Sequence, residues 1–162
     1  MNDLSSPHMI ARDQASRARE VDLSEAIRLE QRLKKDTQCE ILFSRFDRGR
    51  YATDASHYQI FPIGVVVPRT RDDLKALVHI ASEFDVCLTG RGGGTSQNGQ
   101  TINRSLVIDD SKYLNRLVEV DSEKQTCVVE PGIVLDHLNS KIKHTGLWYP
   151  VDVSTSSRAT LG

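Results

Sequence analysis

Residues 90–100, Gly-Arg-Gly-Gly-Gly-Thr-Ser-Gln-Asn-Gly-Gln, hold the residue types best suited to chemistry in this chain. Four of the ten glycines are Gly92, Gly93, Gly94 and Gly99, with the hydroxyls of Thr95 and Ser96 among them. Glycine opens backbone conformations closed to other residues and lets a ligand lie close to the main chain. Successive amides in such a turn can converge on one anion. The pattern therefore predicts a phosphate or pyrophosphate ligand. A plain Gly/Ser linker is the competing reading. Against it, the stretch lies between Val86-Cys87-Leu88-Thr89 and Ser105-Leu106-Val107-Ile108-Asp109, two apolar runs that read as buried strands.

Two phosphate-loop templates fail on inspection. The dinucleotide pattern G-x-G-x-x-G needs glycine where Gln97 stands. The pattern G-x-x-x-x-G-K-[ST] fits from Gly94 to Gly99 and then meets Gln100 in place of the phosphate-reaching lysine. Both also require a helix to open directly after the loop, and Ile102-Asn103-Arg104-Ser105 does not open one.

The elements that must position this loop can be read on either side of it. Residues 1–21 are polar and expected to be poorly ordered. Asp22 and Glu25 have capping-box spacing. The helix they start carries a thin stripe of Leu23, Ile27 and Leu33 and ends on Lys34-Lys35. Its charges read as a solvated face. Residues 40–58, with Arg45, Asp47, Arg48, Arg50 and Asp54 among Tyr51 and Tyr58, read as a connection to the main domain. Gly64–Val67 is a buried strand closed by Pro68, and residues 71–84 form a helix with Leu74, Leu77, Val78 and Ala81 on one face. Strand, helix and the strand Val86–Thr89 imply a parallel pair joined by a crossover. The glycine loop then falls at the carboxyl end of a strand, where open α/β sheets bind ligands. Residues 116–120 and 126–130 form an antiparallel hairpin around Asp121-Ser122-Glu123-Lys124. Leu135, Leu138 and Ile142 mark a helix that ends before Gly146.

Composition narrows the class. The 162 residues suit one domain with a modest core, 38% hydrophobic and 27% charged. A net charge of −1 gives no general attraction to nucleic acid. No apolar run reaches the length of a membrane span, and the start carries no apolar signal segment. A cytoplasmic protein is expected. Cys39, Cys87 and Cys127 are widely spaced, and packing explains Cys87 and Cys127 better than a disulfide or a metal. His8, His57, His79, His137 and His144 show no metal-ligand spacing, so no metal is expected.

Four ordered motifs resemble one family. Arg91-Gly92-Gly93-Gly94-Thr95-Ser96 with Gly99-Gln100 is similar to the pyrophosphate loop of the vanillyl-alcohol oxidase, or p-cresol methylhydroxylase, type of FAD-binding domain. Tyr51–Tyr58 and Pro62–Pro68 resemble that family's entry segment and first strand. Val129-Glu130-Pro131-Gly132 resembles its turn into a short helix. Trp148–Val153, Ser156 and Ala159-Thr160-Leu161-Gly162 resemble its second flavin loop. The resemblance implies an α+β fold of FAD-binding type 2, a small parallel βαβ subdomain followed by the start of an antiparallel one, incomplete at the C-terminus. Residues 1–45 would be a polar segment and helix, and 46–162 the N-terminal part of the flavin domain.

The resemblance also implies the site. Amides of Gly92 to Ser96 would take the pyrophosphate, with hydroxyls from Thr95 and Ser96. Arg91 would offer charge to the phosphates or act structurally, through carbonyls or a carboxylate. Gly99 would let the chain pass near the cofactor, and Gln100 closes the motif. Gly132 would permit a tight turn or touch FAD. Asp152, Val153 and Ser156 would approach the flavin end, while Ala159, Thr160 and Gly162 line its backbone side. Some relatives tether FAD through a histidine in the glycine loop; none stands at Gly92–Gly94, so noncovalent FAD is implied.

The implied function is oxidation of a D-2-hydroxy acid, of D-lactate or D-2-hydroxyglutarate type, with hydride passing to flavin N5. A quinone, cytochrome or iron–sulfur domain would accept the electrons, and docking at the inner face of a membrane is compatible with that. Substrate-binding arginines and the catalytic base are expected in later parts of the family pattern; within residues 1–162 His57 is the nearest base by position and a poor one. Two other readings stay open: a nucleotide-phosphate module using residues 94–101, and a non-catalytic fragment that binds a partner or self-associates.

Overall fold

The computed structural model describes residues 21–162; the expectation for residues 1–21 lies, except for Val21, outside the described residues. Helix α1 (Leu23–Asp36) leads into strand β1 (Glu40–Leu42) and short helix α2 (Arg45–Arg50). Strand β2 (Gly64–Val67), helix α3 (Arg71–Glu83), strand β3 (Leu88–Arg91) and strand β4 (Leu106–Asp109) follow. The chain continues through β5 (Leu117–Asp121), β6 (Thr126–Val129), helix α4 (Leu135–Ile142) and a 3-10 turn (Lys143–Thr145).

The first four strands make one sheet in the order β1-β2-β4-β3. β1 runs antiparallel to β2, and β4 pairs parallel with both β2 and β3. The expected strand–helix–strand unit is therefore present and split: β2 and β3 do not pair, because β4 lies between them. This insertion places the start and end of the glycine loop on adjacent strands. Strands β5 and β6 form a separate antiparallel hairpin. Its turn closes through Gln125, which has a positive φ of 54°.

The main core lies between the sheet and helices α1 and α3, built from Leu29, Leu33, Val66, Leu77, Ile80, Val86, Leu106 and Ile108. Residues 40–58 do more than connect, since β1 completes the sheet and Ile41 and Phe43 pack on this core. Two helical stripes differ from expectation. On α1 the buried pair is Leu29 and Leu33, one turn apart, while Leu23 and Ile27 are exposed. α1 is buried against the core at Leu29 and Leu33. On α3 the buried face is Asp73, Leu77, Ile80 and Ala81, and Val78, about 100° around the helix from Leu77, faces solvent.

The caps explain where the helices start. Asp22 accepts from the Glu25 amide at 2.8 Å. Thr70 and Asp73 form a reciprocal capping box at the start of α3. Asp73 is 5% exposed and also accepts from the amides of Arg69 and Gln38. One carboxylate thus caps α3 and fixes the α1–β1 connection.

A second core beneath the hairpin gathers Ile133, Leu138 and Ile142 with Leu117, Val120, Cys127, Val129 and Leu161. Cys127 packs as expected. Cys87 does not: it is exposed, in the lead-in to β3, which begins at Leu88 rather than Val86 and is an edge strand. Among the described residues no helix is long and apolar enough to cross a membrane.

Candidate functional site

The glycine loop connects the parallel neighbours β3 and β4, leaving β3 after Arg91, which stands opposite Asp109. Gly94 and Gly99 have φ of +67° and +78°, in the left-handed region where a side chain is strained. Gly92 and Gly93 are held to glycine by contact instead. A Cβ on Gly92 would lie 1.7 Å from Thr160 Oγ1, and one on Gly93 would lie 2.4 Å from the Arg158 carbonyl oxygen. The loop and the 158–160 segment, distant in sequence, are thereby closely packed, Gly93 against main chain and Gly92 against the Thr160 side chain.

None of the five consecutive amides from Gly92 to Ser96 donates to a protein acceptor among the described residues. Gly93 is exposed and the other four residues are half-buried, so water reaches this turn. Five free donors in succession, in a turn shaped by glycine, are available to water or to one anion. The Ser96 hydroxyl donates to Gln100 Oε1, which fixes Gln100 across the loop.

The second loop is pinned along the turn into α4. Leu135 N donates to Ala159 O, Leu161 N to Ile133 O, and Gly162 N to Pro131 O, at 2.8–3.1 Å. Asp136 N donates to Ser156 O at 3.2 Å. Ser156, Ala159, Thr160 and Gly162 are thus held on one ridge, with Thr160 against Gly92. Asp152 and Val153 are exposed on the run entering this ridge. The Gly132 amide donates to Leu114 O at 2.7 Å, and a Cβ there would lie 2.1 Å from Asp110 O. Gly132 serves close packing of the main chain.

Charge around the loop is arranged by Arg91, expected from the motif, together with Asp109, Asp110 and Glu130, to which no site role was assigned. Arg91 stacks over the Tyr51 ring, 5.2 Å from its centroid, and its Nη2 donates to Thr53 O at 2.9 Å. Its Nη1 is buried without a partner. Tyr51 donates its hydroxyl to Asp109 Oδ2 at 2.7 Å. Burial, reinforced by that carboxylate, pushes the Tyr51 phenol above its ordinary range. Burial, with the Asp109 charge adding to it, raises Asp110 to about 6. Glu130, with 1% of its side chain exposed, accepts from the Arg116 amide and guanidinium at 2.8–3.2 Å. Arg116 holds the Glu130 carboxyl below its usual range despite that burial. Glu130 fixes the start of the Pro131–Gly132 turn. No spacing rule links Tyr51 to Asp109, or Glu130 to Arg116. His57 is exposed. Among the described residues no group of three or more His, Cys, Asp or Glu side chains could hold a metal ion.

Comparison with known proteins agrees with this geometry. The family described as FAD binding domain matches residues 62–162, and the chain belongs to that family. The D-2-hydroxyglutarate dehydrogenase of Pantoea ananatis is 40% identical over 119 residues, covering 72% of this chain and 12% of that protein. The chain therefore spans about an eighth of that relative's length. Among solved structures, alkyldihydroxyacetonephosphate synthase superposes with a TM-score of 0.72 at 20% identity, over 88% of this chain and 28% of that one. p-Cresol methylhydroxylase superposes with a TM-score of 0.60 at 19% identity, over 78% of this chain and 26% of that one. The fold is thus the p-cresol methylhydroxylase type expected from the motifs, the family is one of FAD-linked oxidoreductases, and FAD is its cofactor. The unpartnered amides and the glycine surface without room for side chains fit that group.

Proposed function

We propose that this chain is the pyrophosphate-binding part of a flavoenzyme that oxidises a D-2-hydroxy acid, with D-2-hydroxyglutarate ahead of D-lactate as the substrate. The observation that carries the cofactor half of this reading is the run of five unpartnered amides, Gly92 to Ser96, at the carboxyl end of β3. These amides bind the two phosphates, joined by the Thr95 hydroxyl, with Arg91 lending its charge from beneath the loop. Thr160 and the main chain of 156–162 close the cradle from the other side. Asp152 and Val153 lie toward the flavin end, Gly99 turns the chain out of the cradle beside Tyr58, and Gly132 acts through the tight packing of the Pro131 turn. The attachment is noncovalent, because Gly92–Gly94 offer no nucleophilic side chain.

FAD supplies the two-electron chemistry by accepting hydride, and the protein supplies binding, orientation and exclusion of water. The D-2-hydroxyglutarate preference rests on the 40% identity to an enzyme of that name. The base that takes the hydroxyl proton and the groups that hold the substrate carboxylate are assigned to parts of the protein outside this chain. So is the electron acceptor, a quinone, cytochrome or iron–sulfur domain. We place the protein in the cytoplasm, with the inner face of the membrane as its docking site if the acceptor is a quinone. Dye-coupled oxidation by the protein at its complete length tests the reading. D-2-hydroxyglutarate should give the highest kcat/KM, D-lactate a lower one and the L-enantiomers none; dye reduction by neither D-acid would refute it.

A further inference from the structure

Three consecutive residues of the segment between α2 and β2 reach the glycine loop at three separate points. The Thr53 carbonyl takes Arg91 Nη2 at 2.9 Å, where the loop begins. The Ala55 amide donates to Gly94 O at 3.1 Å, at its middle. Asp54 Oδ2 accepts from the Thr101 hydroxyl at 2.9 Å, where the loop ends. Next to these, the Tyr58 ring lies against Gly99, within 2.7 Å of where a Cβ would stand.

Asp54 is the only one of the three residues that makes its contact through a side chain. Its second oxygen, Oδ1, accepts from the Ser56 amide at 2.8 Å and folds the segment back on itself. Burial would raise this carboxyl, but the bonds from Ser56 and Thr101 and the nearby Arg91 charge outweigh it and hold it below its ordinary range. It is therefore a full acceptor for both donors at neutral pH.

We propose that Asp54 is a positioning residue for the cofactor: it acts through Thr101 to hold the glycine loop in the shape that presents the Gly92–Ser96 amides to pyrophosphate. The inference rests on the FAD reading above and adds a residue to it. The loop makes few bonds of its own, since its free amides are what bind the ligand. Its shape has to be imposed from outside, and an open turn with two left-handed glycines would otherwise sample many conformations.

The test is titration of the full chain with FAD, and separately with ADP-ribose, which carries the pyrophosphate without the flavin. Asp54→Asn keeps an acceptor for one donor only, and Thr101→Val removes the other half of the bond. Each should weaken FAD and ADP-ribose binding by the same factor, roughly tenfold for one charge-assisted hydrogen bond. The double variant should be no weaker than either single one, because both remove the same interaction. Thr101→Ser restores the hydroxyl and should bind within about twofold of the parent. Circular dichroism confirms that each variant is folded. Additive losses, a loss confined to FAD, or a fall in melting temperature with unchanged affinity would each overturn the role given to Asp54. Absence of FAD binding by the folded parent chain would instead remove the FAD reading itself, and this inference with it.

Discussion

Glycine positions in the cradle are constrained in two different ways, and substitutions separate them. Gly94 needs its left-handed backbone, whereas Gly92 needs empty space beside Thr160. Gly92→Ala forces Thr160 aside and opens the contact between the two loops. We expect it to weaken FAD binding at least about tenfold while leaving the core intact, read by titration and circular dichroism. Asp110 gives a prediction with a pH signature. Its folded-state pKa is raised from 3.8 to about 6, so its ionisation opposes folding: the penalty is absent below about pH 3, grows between the two values, and is complete above about 7. Asp110→Asn should therefore stabilise the chain at pH 7.5 by about 1 kcal/mol, after allowance for partial screening, and change little at about pH 3. Urea unfolding at the two pH values checks both halves. The glycines were legible in the sequence because only glycine fits such turns. Asp54, Asp109 and Glu130 were not, because a carboxylate takes its meaning from a partner that the fold brings to it. Asp54 and Thr101 are 47 residues apart.

Strands and helices were legible wherever burial followed a simple period. Gly64–Val67 and Leu106–Asp109 are buried at every position, as continuous apolar runs in a parallel sheet should be. On α1 and α3 the stripes were legible in part: Leu33, Leu77 and Ala81 are buried and Leu74 packs on the core, whereas Leu23, Ile27 and Val78 face solvent. Periodicity gives the width of an apolar face, but the neighbouring layer decides which part of it is covered. Cys87 illustrates the same limit: it sits in an apolar run, yet at the approach to an edge strand it meets solvent. The best-connected cap is a carboxylate. Asp73 accepts from Arg69, Thr70 and Gln38 while buried, so it joins α3 to the chain leaving α1. Asp73→Ala removes a cap and strands several amides, and should cost about 2–3 kcal/mol in urea unfolding. Asp72→Ala, one residue away and exposed, should cost little.

Across the whole molecule, two small cores meet at the two loops proposed to hold the cofactor. The sheet contributes the glycine turn, the hairpin half contributes the 156–162 ridge, and Glu130, bonded to Arg116, steadies the turn between them. What the sequence concealed at this scale was strand order. Chain order gives no sign that β4 inserts between β2 and β3, yet that insertion brings Arg91 beside Asp109. Pyrophosphate recognition by this assembled cradle is the central claim, and a competitive titration of the purified chain with FAD and FMN tests it most directly. FMN carries one phosphate and no pyrophosphate, so FAD should bind saturably and at least about tenfold more tightly. Equal affinity for the two, or no binding of FAD by a chain shown to be folded, would contradict the account.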